Sequence, residues 1–387
     1  MAKAAILTLN AGSSSIKFGV YTANAEPDLL AVGQVSNLGP AAVMEIEETG
    51  QPVREQALGT ADHAVALRAI LDEARDALDD RWVAAVGHRV VHGGAEYAEP
   101  KRLDLMVMAK LHALEPLAPL HQPHNLNAVR AAMAEFPDAP QVACFDTAFH
   151  RGHPWVNDTF ALPRRYYDQG VRRYGFHGLS YDYITGYLQT HHPDLAAGKV
   201  VVAHLGNGAS MCAIKNGQSI GSTMGFSALD GLPMGTRCGQ LDPGALLYLM
   251  RRDQLSVEQL TELLYRESGM KGLSGITHDM RTLEASDDPA AAQALDYYVF
   301  RIRRELGAMA AVLGGLDGLV FCGGVGENSV NIRARVCEDM DWLGISIDVA
   351  GNAANQLEIG QGRTRVLAIP TDEERVIARA ASRFVAA

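Results

Sequence analysis

Two copies of one pattern constrain this chain more than anything else in it. Near the start, the apolar run Ile6-Leu7-Thr8-Leu9 leads into Asn10-Ala11-Gly12-Ser13-Ser14-Ser15 and then Ile16-Lys17-Phe18-Gly19-Val20-Tyr21. Near the middle, Val200-Val201-Val202-Ala203 leads into His204-Leu205-Gly206-Asn207-Gly208-Ala209-Ser210 and then Met211-Cys212-Ala213-Ile214-Lys215. Each copy reads as strand, Gly/Ser/Asn turn, strand. Turns of this kind bring backbone N–H groups close to an anion. One turn in each half predicts two jaws acting on a single polyphosphate.

The rest of the pattern alternates. Leu67, Ile70, Leu71, Ala74 and Leu78 mark an amphipathic helix, and Leu126, Val129, Met133 and Phe136 another that opens after Pro123. Ser256-Val257-Glu258-Gln259 is a capping box, and Asp242-Pro243 a cap with proline at the first helical position. The stretch from Pro289 to Leu313 reads as one helix, and the last residues from Asp372 as a terminal one. Strands are expected at Val83–Val91, Gln141–Phe145, Lys199–His204, Gly318–Cys322 and Arg365–Ile369. Alternating strands and helices predict an α/β fold. Because each half opens with a hairpin before it alternates, each sheet is expected to be mixed. A division is expected near residue 150, where Arg151-Gly152-His153-Pro154 breaks the pattern.

Composition narrows the function classes. The length of 387 residues suits two domains of about 150–200 residues each. A net charge of −11 disfavours nucleic acid and anionic membrane as partners, so a phosphate site would be a local basic island. The five cysteines form no C-x-x-C pair, which fits a reducing, cytoplasmic setting. No run of about 18 apolar residues and no signal-peptide pattern are seen, so no membrane span and no export are expected.

Several segments carry chemistry. The first turn with Lys17 offers donors, hydroxyls, an amide and a cation, but no G-x-x-x-x-G-K-[ST] occurs, so it is not a Walker loop. Gly87-His88-Arg89-Val90-Val91-His92-Gly93-Gly94 ends a strand on an arginine able to bind carboxylate or phosphate at two points. Leu117-Ala118-Pro119-Leu120-His121-Gln122-Pro123-His124-Asn125 is a proline-bracketed loop before a helix. Phe145-Asp146-Thr147 puts a carboxylate at the C-terminal end of an apolar strand, where ligands of open α/β sheets gather. Tyr174-Gly175-Phe176-His177-Gly178 holds a histidine in a tight, partly apolar turn. Gly235-Thr236-Arg237-Cys238-Gly239 gives a second glycine-flanked arginine, and Arg89 and Arg237 together suit a reacting anion such as a transferring phosphoryl group. Phe321-Cys322-Gly323-Gly324-Val325-Gly326-Glu327-Asn328 reads as strand, Gly-rich turn, helix, without the third glycine of a dinucleotide fingerprint. Read by itself, Pro370-Thr371-Asp372-Glu373-Glu374 is an acidic first turn that complements a helix dipole.

Taken in order along essentially the whole chain, these motifs resemble the acetate kinase family, of the acetate and sugar kinase, heat-shock chaperone and actin superfamily. The resemblance rests on residues 9–17, 87–94, 117–121, 145–150, 174–178, 204–210, 234–237, 323–328 and 370–374. It implies two RNase H-like, actin-like ATPase domains with mixed sheets around a nucleotide cleft. The first would cover residues 1–150 with the helix from about 373 to 387; the second, residues 151–372, would bind nucleotide and form a homodimer. The implied reaction is reversible transfer between ATP and a short-chain carboxylate, acetate first, with Mg2+ (or Mn2+) as cofactor.

The resemblance also implies roles. Asn10 and Glu373 would lie near the metal ion, which overturns the helix-dipole reading of Glu373. Arg89 and Arg237 would hold the carboxylate and the phosphoryl group, with His177 stabilising that group, His121 supporting and Asp146 orienting the reactants or acting as acid or base. Val91, Leu120, Phe176 and Ala228 would line the acyl pocket. Lys17 and the segment His204, Leu205, Gly206, Asn207, Gly208 would take ATP phosphate. Asp279, Met280, Arg281, Gly324, Val325, Gly326, Glu327 and Asn328 would line the base and ribose. The chemistry is consistent: a carboxylate is already nucleophilic at neutral pH, so positioning and charge neutralisation matter more than a strong base.

This chain departs from the usual family pattern at three places. Tyr181 stands where a second histidine is common, Gln122 and His124 where Asn and Pro are frequent, and Ala228 where many members have Pro. The smaller Ala228 leaves room for one more methylene, so propionate and butyrate kinases are the neighbouring alternatives. A non-catalytic nucleotide switch does not need the set Arg89, Arg237 and His177, and a sugar kinase normally needs a base for a hydroxyl.

Overall fold

The computed structural model describes residues 3–12, 15–78, 81–119 and 121–385. It divides into two units, Met1–Arg151 with Asp372–Ala387, and Gly152–Thr371.

The first unit is built on an eight-stranded sheet. Its strands are β1 (Ala4–Ala11), β2 (Ile16–Thr22), β3 (Leu29–Ser36), β4 (Gly39–Glu48), β5 (Arg54–Ala61), β6 (Trp82–Val90), β7 (Lys101–Arg102) and β8 (Gln141–Phe145), in the order β5-β4-β3-β2-β1-β6-β8-β7. β1 and β2 pair antiparallel with Asn10 opposite Lys17, while β6 runs parallel to β1 and to β8. Three parallel strands therefore end on the same edge, and those ends carry Asn10, Arg89 and Asp146.

The helix His63–Leu78 buries the predicted stripe, with Leu67, Ile70, Leu71, Ala74 and Leu78 all under 7% exposed. The helix Gln122–Glu135 opens one residue before Pro123; proline fits its first turn, where an N–H has no intrahelical partner. The helix Glu373–Ser382 returns to this unit from the far end of the chain. Ala378 and Ala381 pack with Ile6, Tyr21, Ala85 and Val142. Gly87 on β6 makes that approach possible, since a Cβ there would lie 2.5 Å from Ile377 Cγ2. The return brings Glu373 and Glu374 to the first turn of this helix, beside the strand ends.

The second unit has a five-stranded sheet, β9 (Lys199–Leu205), β10 (Ala209–Lys215), β11 (Gln218–Ser222), β12 (Gly318–Cys322) and β13 (Arg365–Ala368), in the order β11-β10-β9-β12-β13. β9–β10 and β10–β11 are antiparallel; β9–β12 and β12–β13 are parallel. The run β3-β2-β1-β6-β8 has the same order and the same directions. The two hairpins of the sequence are thus the openings of two copies of one mixed-sheet topology. The helix Pro289–Leu313 is capped by Asp288 and ends at Gly314 in the left-handed region, φ 69°; it packs on β9 and β10.

One local expectation is corrected. No turn separates β12 from the following helix: Gly323–Asn328 is helical from its first residue. Gly323 itself absorbs the change of direction at φ +74°, and a side chain there would stand 2.8 Å from the Leu205 carbonyl oxygen.

Candidate active site

In the first unit, the cluster forms where β1, β6 and β8 end. Arg89 donates from Nε to Asp146 Oδ1 at 2.9 Å and from Nη2 to Oδ2 at 2.6 Å. Its Nη1 donates to Asn10 Oδ1 at 3.1 Å. The Asn10 amide then donates to Glu374 Oε1 at 3.3 Å. Glu373 lies 3.9 Å from Arg89 Nε. Asp146 is buried, 1% exposed, at the end of a strand buried along its whole length; it caps no helix and serves the guanidinium instead.

The electrostatics follow from one cation among three carboxyls. Burial works against the charge of Arg89, but Asp146, Glu373 and Glu374 outweigh it and raise its pKa further. Burial pushes Glu373 up to about 7, against the pull of Arg89 and Lys17 and with the help of Asp146 and Glu374. The cluster has more carboxyl than cation to balance it.

Buried amides hold the strand edge. Asn125 accepts from the Val91 N–H at 3.0 Å and donates to the Ala11 carbonyl at 2.6 Å. Gln122 accepts from the His92 N–H at 3.1 Å and donates back to the His92 carbonyl at 3.0 Å. His88 and His92 are internal and neutral: burial lowers them to about 4 and about 3. His121 is the partly exposed residue just before the helix Gln122–Glu135, and its carbonyl accepts from the Asn125 N–H. Val91 is buried; Leu120, and Ser13 and Ser14 of the first turn, lie outside the described residues.

In the second unit the cluster forms around the turn between β9 and β10. His177 precedes the helix Gly178–His191 in the left-handed region, φ 57°, a strained choice for a residue with a side chain. Its Nδ1 lies 2.8 Å from Ser210 Oγ, and its ring stacks on His204 with centroids 4.3 Å apart. His204 Nδ1 in turn lies 2.8 Å from Ser180 Oγ. A Cβ placed on Gly208 would meet His177 Nε2 at 3.2 Å and Arg237 Nη2 at 3.3 Å, so two side-chain nitrogens converge on the bare backbone of the turn. Arg237 is held by its Nη1, which donates to the Ala228 carbonyl at 3.0 Å.

The helix Gly323–Asn328 presents its first turn to the same region: a Cβ on Gly206 would lie 3.9 Å from the Gly324 N, and one on Gly324 would meet nothing within 4 Å. Glu327 fixes this turn by accepting from the N–H groups of Gly323 at 2.8 Å and Thr371 at 3.0 Å. Arg333, fully buried, donates to the carbonyls of Gly326 and Glu327 and so satisfies the helix C-terminus.

Among the sequence candidates, Asn10, Arg89, Asp146 and Glu373 come together, as do His177, His204, Gly206, Gly208, Arg237 and Gly324. Lys17 is exposed and acts on the first cluster through its charge on Glu373. Leu205 and Gly326 are buried and Val325 half-buried, while Asn207 and Asn328 are exposed. Asp279 caps the helix Met280–Glu284 and pairs with exposed Arg281, while Met280 points into the interior. Phe176 is buried and Ala228 half-buried. Glu374, Ser210, Asn125 and Arg333 were missed; Glu374 carried a signal, since it directly follows Glu373 in the same helical turn.

The donor set tests the expected metal ion. Asn10, Glu373 and Glu374 offer hard oxygen ligands, which suit Mg2+. Among the described residues, no group of three or more His, Cys, Asp or Glu side chains is arranged to hold a metal ion.

A family model described as the acetokinase family matches residues 5–379. A curated acetate kinase of Methylocella silvestris is 55% identical over 392 residues, covering 97% of this chain and 96% of the relative. The crystal structure of Porphyromonas gingivalis acetate kinase superposes with a TM-score of 0.88 at 36% identity, covering 99% of this chain and all of the other. A propionate kinase from Francisella tularensis gives a TM-score of 0.88 at 33% identity, with 99% and 100% coverage. The chain belongs to the acetokinase family. It is an ATP-using kinase of α/β fold with two mixed sheets. No helix among the described residues is long and apolar enough to cross a membrane.

Proposed function

We propose that this protein transfers the γ-phosphoryl group of ATP reversibly to acetate, giving acetyl phosphate and ADP. The observation that carries this reading is the convergence of His177 Nε2 and Arg237 Nη2 on Gly208 in a glycine turn. A guanidinium and an imidazole nitrogen aimed at bare backbone suit the equatorial oxygens of a phosphoryl group. A carboxylate oxygen of acetate attacks phosphorus as the P–O bond to ADP breaks, and the electron pair leaves with ADP. Arg89, fixed by Asp146, binds the carboxylate; Arg237 and His177 bind the transferring group; His121 supports them. The turn His204–Gly208 takes ATP phosphate, and Asp279–Arg281 with Gly324–Asn328 takes the nucleoside. Mg2+, held by Asn10 and Glu373, supplies charge neutralisation on the phosphates when bound.

The test is direct. ATP, Mg2+ and acetate should give an acyl phosphate trapped as the hydroxamate by hydroxylamine, and Arg237→Ala should lower its rate by about 100-fold or more. Well-folded protein that makes no product from any C2–C4 acid would defeat the reading. A second reading, propionate as the preferred acid, is favoured by the small Ala228.

A homodimer through the second unit is part of the same proposal. The helix Pro243–Arg252 buries none of its residues, and Leu247, Tyr248 and Phe300 are 56–62% exposed. An apolar surface of this kind suits a second copy of the chain; sedimentation equilibrium at twice the chain mass would agree with it.

A further inference from the structure

We propose that Tyr181 is a positioning residue that acts through Ser210 to fix the tautomer of His177, so that the ring offers an N–H from Nε2 at Gly208. The inference rests on the phosphoryl-transfer reading of His177. Tyr181 and Ser210 are fully buried. Tyr181 Oη lies 2.5 Å from Ser210 Oγ, and Ser210 Oγ lies 2.8 Å from His177 Nδ1. The far ring nitrogen, Nε2, is the one at the phosphate turn.

The direction of the chain follows from donor chemistry. Ser210 has one hydroxyl proton and two neighbours for it. A phenol is a better donor and a poorer acceptor than an alkyl hydroxyl. Burial raises the pKa of Tyr181 well above its ordinary value, so the phenol keeps its proton. Tyr181 therefore donates to Ser210, and Ser210 donates to His177 Nδ1. A nitrogen that accepts carries no proton in the neutral ring, which leaves the proton on Nε2. The opposite tautomer would point a lone pair at the phosphoryl oxygens and repel them. The position where a histidine is common in the family is thus filled here by a group that does not change charge near neutral pH.

Two measurements test this. In 15N-histidine spectra of the full-length protein, with His177 assigned by its loss in His177→Gln, Nδ1 should be unprotonated and Nε2 protonated at neutral pH. A protonated Nδ1 would overturn the proposal. In kinetics, Tyr181→Phe should lower kcat about tenfold, the worth of one lost hydrogen bond in the transition state, with KM for acetate changed less than about twofold. Ser210→Ala should cost as much, and the double variant no more than the larger single loss. Losses that multiply, or a Tyr181→Phe enzyme with wild-type kcat, would overturn it. If the wild-type protein transfers no phosphoryl group at all, the functional reading fails, and the spectra still decide whether the relay exists.

Discussion

Arg89 and Asp146 meet side-on, two guanidinium nitrogens on two carboxylate oxygens at 2.9 and 2.6 Å, with Asp146 almost completely buried. The third nitrogen, Nη1, is directed to Asn10. This geometry sets the orientation of the planar cation and leaves it little rotational freedom. It assigns Asp146 the work of holding Arg89 in place.

Asp146→Asn keeps the size but loses the two-point charged contact. We expect a folded protein with kcat lowered by about 100-fold, on the scale of losing a preorganised charge at a reacting group. Steady-state kinetics on the acyl hydroxamate assay, with melting temperature as the control, check it. Asp146→Asn combined with Arg89→Ala should be little worse than Arg89→Ala alone, because the two residues act as a unit.

Glu373 gives the protein a pH dependence of stability with an unusual sign for a carboxyl group. Its pKa is raised from 4.5 to about 7, chiefly by burial. Between these values the folded state binds more protons than the unfolded one, so stability falls as pH rises through that window. The slope is at most about 1.4 kcal/mol per pH unit for one proton. Urea unfolding between pH 5 and 7.5 should show this fall in wild type and a flatter profile in Glu373→Gln. A bound divalent cation favours the ionised form, so Mg2+ should raise the melting temperature more at pH 8 than at pH 5.5.

How much of this was legible in the sequence depends on range. The hairpins, the helices and the mixed sheets follow from local periodicity and turn chemistry, and the strand ends carrying Asn10, Arg89 and Asp146 were placed to within a residue or two. The long-range pairings were not. That Glu374, not Glu373, bonds Asn10 depends on the terminal helix returning to β1 and β6 across 364 positions of sequence. A Gly-rich turn was expected before the helix because the glycines at 323, 324 and 326 disfavour helix; packing of Gly323 on Leu205 and the Arg333 hydrogen bonds override that propensity. An arginine in the following helix Val330–Cys337 whose side chain reaches back to those carbonyls leaves no local pattern at all.

Arg333 is the basis of the next prediction. Its guanidinium makes five hydrogen bonds, to Asn352 Oδ1 and O, Asn355 Oδ1, and the Gly326 and Glu327 carbonyls. Every acceptor is neutral, and burial lowers its pKa. Arg333→Leu would strand the two helix carbonyls and both asparagines. We expect a loss of about 3 kcal/mol or more in unfolding free energy, and a raised KM for ATP with a smaller change in KM for acetate. Lys at this position offers three donors on one nitrogen in place of the planar fork, so Arg333→Lys should recover only part of the loss.

Ala228 offers a test that separates a role in acyl-chain choice from its hold on Arg237. Its carbonyl accepts from Arg237 Nη1 at 3.0 Å, and a proline keeps that carbonyl. Among the described residues its own N–H has no hydrogen-bond partner, so a proline nitrogen removes nothing there. Ala228→Pro therefore adds ring volume without taking away the hold on Arg237. If the methyl group of Ala228 borders the acyl chain, the variant should disfavour propionate against acetate by about 10- to 100-fold in kcat/KM, the range for one methylene in an apolar pocket. The ratio of the two kcat/KM values, wild type against Ala228→Pro, is the measurement. An unchanged ratio with retained activity would show that Ala228 serves Arg237 alone and that chain length is read elsewhere. A ratio that falls while kcat with acetate holds would place the acyl pocket at Ala228, and would make wild type the more permissive enzyme toward propionate.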